Sequence, residues 1–139
     1  MTSSILVNHR DERILRSAVR SSLRRSIFFF IFYIIYNLFS HGVHSPFMTY
    51  LFVWPLALGA LPSFLCLKVR RIPGPSVLSS LLWNTGIAAV TVSSMLRGIF
   101  EIAGNSSIYQ HLLMLAGFLF LAAGLIVYAA GFLLFEARR

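Results

Sequence analysis

Residues 27–39 read IFFFIFYIIYNLF, thirteen positions without a charged side chain, directly after Arg24, Arg25 and Ser26. A helix needs roughly 20 apolar residues to cross the hydrocarbon core of a bilayer. The run from Ser26 to about His44 meets that need, and so do residues 47–67, 77–96 and 108–135, none of which carries Asp, Glu, Lys or Arg. None alternates apolar with polar residues as the strands of a membrane barrel do. Of the 139 residues, 58% are hydrophobic and 12% charged, and the mean hydropathy is +0.79. A small water-soluble domain has too little interior to hide that much apolar surface. The expectation is an all-α integral membrane protein, a four-transmembrane-helix bundle over residues 26–139. No A-x-A cleavage pattern follows the first apolar run, so it reads as a retained span and not a secretory signal.

Orientation follows from the basic residues. Six arginines precede the first span: Arg10, Arg13, Arg16, Arg20, Arg24 and Arg25. Lys68, Arg70 and Arg71 lie between the second and third spans, and Arg138 and Arg139 follow the fourth, leaving only Arg97 on the other side. Eleven against one puts both termini in the cytoplasm and the bundle in a cell (cytoplasmic) membrane. The formal charge of +8 then calls for no nucleic acid. In residues 1–25, Ile14, Leu15, Ala18, Val19 and Leu23 recur at helical spacing while arginines occupy another face. The pattern predicts an amphipathic cytoplasmic helix lying on the surface, capped at Asn8, with its guanidinium groups on anionic lipid.

Within the bundle, Ser45-Pro46 predicts a tight hairpin between the first two spans. Pro55, Gly59 and Pro62 predict a kink in the second, turned inward so that neighbours satisfy the freed carbonyls. Pro73, Gly74 and Pro75 break the chain before a helix restarts near Ser76. On the fourth span, Ala116-Gly117, Ala123-Gly124 and Ala130-Gly131 repeat every seven residues. Such a seam admits a close neighbour in a left-handed crossing, either within the chain or in a homodimer. On the third, Ser80, Asn84, Thr91 and Ser94 form a polar stripe, read as hydrogen-bonding glue between helices or as the lining of a polar path.

Chemistry has one candidate constellation. His41 and His44 stand three residues apart at the outer end of the first span, and His111 lies one turn into the fourth, which starts on the same side. Glu101 is the acid nearest to them in the scheme. Imidazole suits haem iron and divalent transition metals alike. One reading has His111 with His41 or His44 as the axial pair of a haem b; another has His41, His44, His111 and Glu101 around a metal. Hydrogen bonding to headgroups and loops is the structural alternative. Cys66 is the single cysteine and reads as a small apolar side chain. No Walker loop, G-x-S-x-G elbow, H-E-x-x-H or paired carboxylate occurs, so no catalytic residue is assigned.

The segment Tyr36-Asn37-Leu38-Phe39-Ser40-His41-Gly42-Val43-His44-Ser45, with Met48, Tyr50, Phe52 and Pro55-Leu56 after it, resembles small uncharacterised four-span membrane proteins of Gram-positive bacteria. The resemblance implies a bacterial cytoplasmic membrane and carries no activity. The sequence thus leaves three functional expectations. The first is a binding or redox subunit using the histidine corner. The others are a scaffold subunit of a larger complex using the Ala-Gly seam, and a small uncoupled transporter using the polar stripe.

Overall fold

A computed structural model describes residues 2–39, 44–68 and 75–136, with side chains from 12 to 134 in those ranges. His41, the Pro73-Gly74 turn and the terminal arginines fall outside them. The described residues are helical with no strand. The order is α1 (Thr2–Phe39), α2 (Pro46–Thr49), α3 (Val53–Pro55), a π-helical turn (Leu56–Ala60), α4 (Leu61–Lys68), α5 (Val77–Ile102) and α6 (Ile108–Glu136). Three helices are long and apolar enough to cross a membrane: α1 from Glu12 to Phe39, all of α5, and α6 to Leu134.

No break separates residues 1–25 from the apolar run that follows. A single helix passes through the expected boundary, and Asn8, expected as its cap, lies inside it. Leu15, Ser22 and Ser26 are buried against the rest of the bundle, so the basic segment joins the packing. Of the apolar stripe read as a lipid-surface face, Leu15 is buried, Ile14 and Leu23 are exposed, and Ile14, Leu15 and Ala18 line a cavity.

In the second apolar stretch, where Pro55, Gly59 and Pro62 predict a kink, the α-helix gives way to the π-helical turn Leu56–Ala60 before α4. Its continuous part, Val53–Lys68, is about 24 Å long, shorter than a hydrocarbon core of roughly 30 Å. Proline 62 has no N–H to give the carbonyl four residues back, that of Leu58. The indole Nε1 of Trp83 on α5 donates to that oxygen at 2.7 Å, filling the vacancy a proline leaves in a helix. Gly59 lets α1 cross tightly here, because a Cβ would collide with the Ser22 side chain and stand 3.6 Å from Ile87 Cδ1.

Helices α5 and α6 form the main antiparallel pair, in a register of sevens. Ser79, Gly86 and Ser93 descend one face of α5, opposite Gly124, Gly117 and Gln110 of α6. Ser79 Oγ donates to the Gly124 carbonyl at 2.9 Å and Ser93 Oγ to the Gln110 carbonyl at 2.5 Å. Between them a Cβ on Gly86 would lie 2.9 Å from the Gly117 carbonyl oxygen. Ile87, Val90 and Leu121 make the core beside this seam, with Trp54, Leu58 and Trp83 packed on it.

Helix α5 starts at Ser76, whose Oγ accepts the Ser79 N–H at 3.2 Å. It runs past the expected end at residue 96 and stops in a Schellman turn. Asn105 N–H bonds the Phe100 carbonyl, Gly104 N–H bonds that of Glu101, and Gly104 has φ 67°. Arg97, within the helix, lies over the Phe47 ring at 4.0 Å. The hairpin is sealed nearby: Ser45 Oγ donates to Glu101 Oε2 at 2.5 Å, and Met48 rests on Gly98.

Candidate functional site

The expected residues distribute unevenly over this frame. At the Ile102 end, His44 and His111 are exposed, and Glu101 holds Ser45. Helix α6, which carries His111, packs on α5. Among the described residues no three His, Cys, Asp or Glu side chains come together around a metal position, and His41 is outside them.

The Ala-Gly seam meets α5 within the chain. A Cβ on Gly117 would stand 2.7 Å from Val90 Cγ2, and one on Gly124 would stand 3.0 Å from the Trp83 nitrogen. A Cβ on Gly131 would meet nothing within 4 Å among the described residues, its heptad counterpart falling before Val77, where α5 begins. Ala116 and Ala123 are half-buried and Ala130 is exposed.

The polar stripe makes little glue between α5 and α6, although its Asn84 Oδ1 accepts from Arg25 of α1. Thr91 Oγ1 donates to Ile87 O at 2.7 Å and Asn84 Nδ2 to Ser80 O at 2.8 Å, both within α5. Ser94 Oγ, fully buried, and Gln110 Oε1, nearly so, have no hydrogen-bond partner among the described residues. The glue comes instead from Ser79 and Ser93, one register over. Their signal was available: small residues at 79, 86 and 93 repeat every seven positions, the same period as the glycines of α6.

What the stripe does line is a pair of cavities. The first, about 280 Å³, lies toward the Val77 end. All four long segments wall it: Leu15 and Ala18 of α1, Pro62 and Cys66 of α4, Trp83 and Asn84 of α5, Leu125 and Tyr128 of α6. Its walls are mostly apolar, and its polar groups are neutral: Ser63, Ser80, Asn84, and the Cys66 thiol hydrogen-bonded with the Tyr128 hydroxyl. The second is a groove of about 470 Å³ between α1 and α5, with Arg24, Arg25 and Ser21 at one end and Phe28, Phe29 and Val92 at the other.

Arg25 stands where the two spaces adjoin. Its Nη2 donates to Ser21 Oγ at 3.1 Å and to Asn84 Oδ1 at 3.0 Å. In the sequence Arg25 counted only as one of six basic residues before a span. The continuity of α1, which no composition reports, carries it alongside α5. Against known proteins, the chain matches no family model, no curated protein and no solved structure.

Proposed function

We propose that this chain is a small membrane-embedded binding protein that takes a neutral amphiphile into the cavity among its four long segments. The observation that carries the reading is convergence: α1, α4, α5 and α6 each give wall to that one space. Binding sites in helical bundles sit between helices, with apolar walls and a few placed polar groups. Among the described residues the lining holds no carboxylate, imidazole or amine. A ligand with an apolar body and a hydroxyl or carbonyl head suits Asn84, Ser80 and Tyr128.

The same reading takes the chain across a cell membrane four times with both termini cytoplasmic. The arginine distribution supports the orientation. The broken second segment supports the count, since it runs from Met48 beside Gly98 to Cys66 beside Tyr128, nearly the full height of α5. The cavity then opens in the cytoplasmic half.

Cys66 is the only cysteine and lines the cavity, so it reports occupancy. In proteoliposomes, a small membrane-permeant maleimide is expected to label Cys66, and Leu125→Trp, which fills the space, to slow labelling about tenfold. Decanol at millimolar concentration should slow the wild-type reaction and leave the Leu125→Trp rate unchanged. Equal protection of both proteins, or of neither, would refute a ligand cavity here.

A further inference from the structure

We infer that the groove between α1 and α5 is a seat for one anionic phospholipid, its phosphate on Arg24 and Arg25 and an acyl chain along Phe28, Phe29 and Val92. Arg24 is exposed, and the half-buried Arg25 carries its guanidinium to Asn84, seven residues into α5 and about 10 Å from its start. Ser22, three residues before Arg25, packs at Gly59 level with Ile87, ten residues into α5 and about 15 Å from its start. A cation at such depth needs a counter-charge or a path to water. Arg25 donates to neutral oxygens, those of Ser21 and Asn84. Neither guanidinium meets a carboxylate among the described residues, where Glu12 pairs with Arg16 and Glu101 accepts from Ser45.

The shape agrees with the charge. Helix α1 reaches the bundle through the α3–α4 segment, and α5 through α2, α3 and α6, which leaves a groove between α1 and α5 floored by Pro55. Polar groups gather at its Val77 end and apolar ones toward the other, the polarity of a lipid in the leaflet on the Val77 side. Phe28 and Val92 are exposed at its lip, so a lipid enters sideways from the bilayer. The full volume of about 470 Å³ accommodates a headgroup region and part of a chain, within the usual range for ligand sites.

The test is native mass spectrometry of the full chain released from detergent, titrated with phosphatidylglycerol or phosphatidylcholine. The expected result is one phosphatidylglycerol adduct that outlasts the phosphatidylcholine adduct during collisional activation. Replacing Arg24 and Arg25 by Gln should weaken it about tenfold or more, since each basic group contributes appreciably at a lipid surface. Arg13→Gln with Arg16→Gln removes the same charge outside the groove and should leave the adduct intact. Ala88→Phe keeps both guanidinium groups but fills the groove, and should also remove the adduct; circular dichroism checks that each variant stays helical. Equal retention of the two lipids, or equal loss in the Arg13/Arg16 and Arg24/Arg25 variants, overturns the proposal. So does displacement of the adduct by inorganic phosphate alone, or covalent dimer formation through a cysteine at residue 28, which would mark a second copy as the occupant. None of these outcomes touches the maleimide experiment on Cys66.

Discussion

At the scale of the residue, the glycines of α6 differ in what they permit. Gly117→Leu drives a side chain into Val90, where even a Cβ finds a backbone nitrogen at 2.9 Å. We expect it to destabilise the fold by about 3 kcal/mol or more in sodium dodecyl sulfate titrations of mixed micelles. Gly131→Leu, with open space around it, should change stability by no more than about 0.5 kcal/mol. A homodimer seam would show the opposite sensitivity at Gly131. Trp83 provides a second case. Trp83→Phe keeps most of the packing but strands the Leu58 carbonyl, at a cost of about 1–3 kcal/mol in the same titration.

At the scale of the element, that cost depends on a proline. Pro62→Ala returns an N–H to the helix, and in that background Trp83→Phe should lose much of its penalty, a coupling that a double-mutant cycle measures directly. The interruption itself was legible in Pro55, Gly59 and Pro62, as was the demand for an outside donor. The donor's identity was not, since only the crossing of α4 and α5 brings residue 83 to residue 58. The seam was half legible in the same way. Its α6 side stood out as paired Ala-Gly repeats, while Ser79 and Ser93 on α5 stand next to Ser80 and Ser94, equally polar, which the spacing to Asn84 and Thr91 favoured instead. Polarity drew the reading to the stripe, whereas close antiparallel packing selects small side chains.

At the scale of the molecule, apolar length marked four spans, and among the described residues three helices are long and apolar enough to cross a membrane; the second stretch falls short because its regular helix is interrupted near Pro55 and Gly59. The internal boundary at residue 25 was drawn by charge, because six arginines look like the end of a span. The helix continues regardless, since arginine is a good helix former and its side chain reaches several ångströms toward water. The histidine corner rested on shared depth alone, and His41, its central member, lies outside the described residues. For orientation, in a Cys66→Ser background, single cysteines at 10 and 104 should react with a membrane-impermeant maleimide from opposite sides of the membrane. Reaction from one side only would remove the four-span arrangement.

The unequal lengths of the helices also bear on the surrounding lipid. Helix α6, 29 residues long, extends about 43 Å, against about 24 Å for the continuous part of the interrupted segment. A bilayer accommodating both must thin on one flank or let α6 lean, and either response makes the annulus lopsided. The lean of α6 then follows from hydrophobic matching: thicker lipid favours an upright α6, thinner lipid a reclining one, and α5, bonded to α6 at Ser79 and Ser93, leans with it.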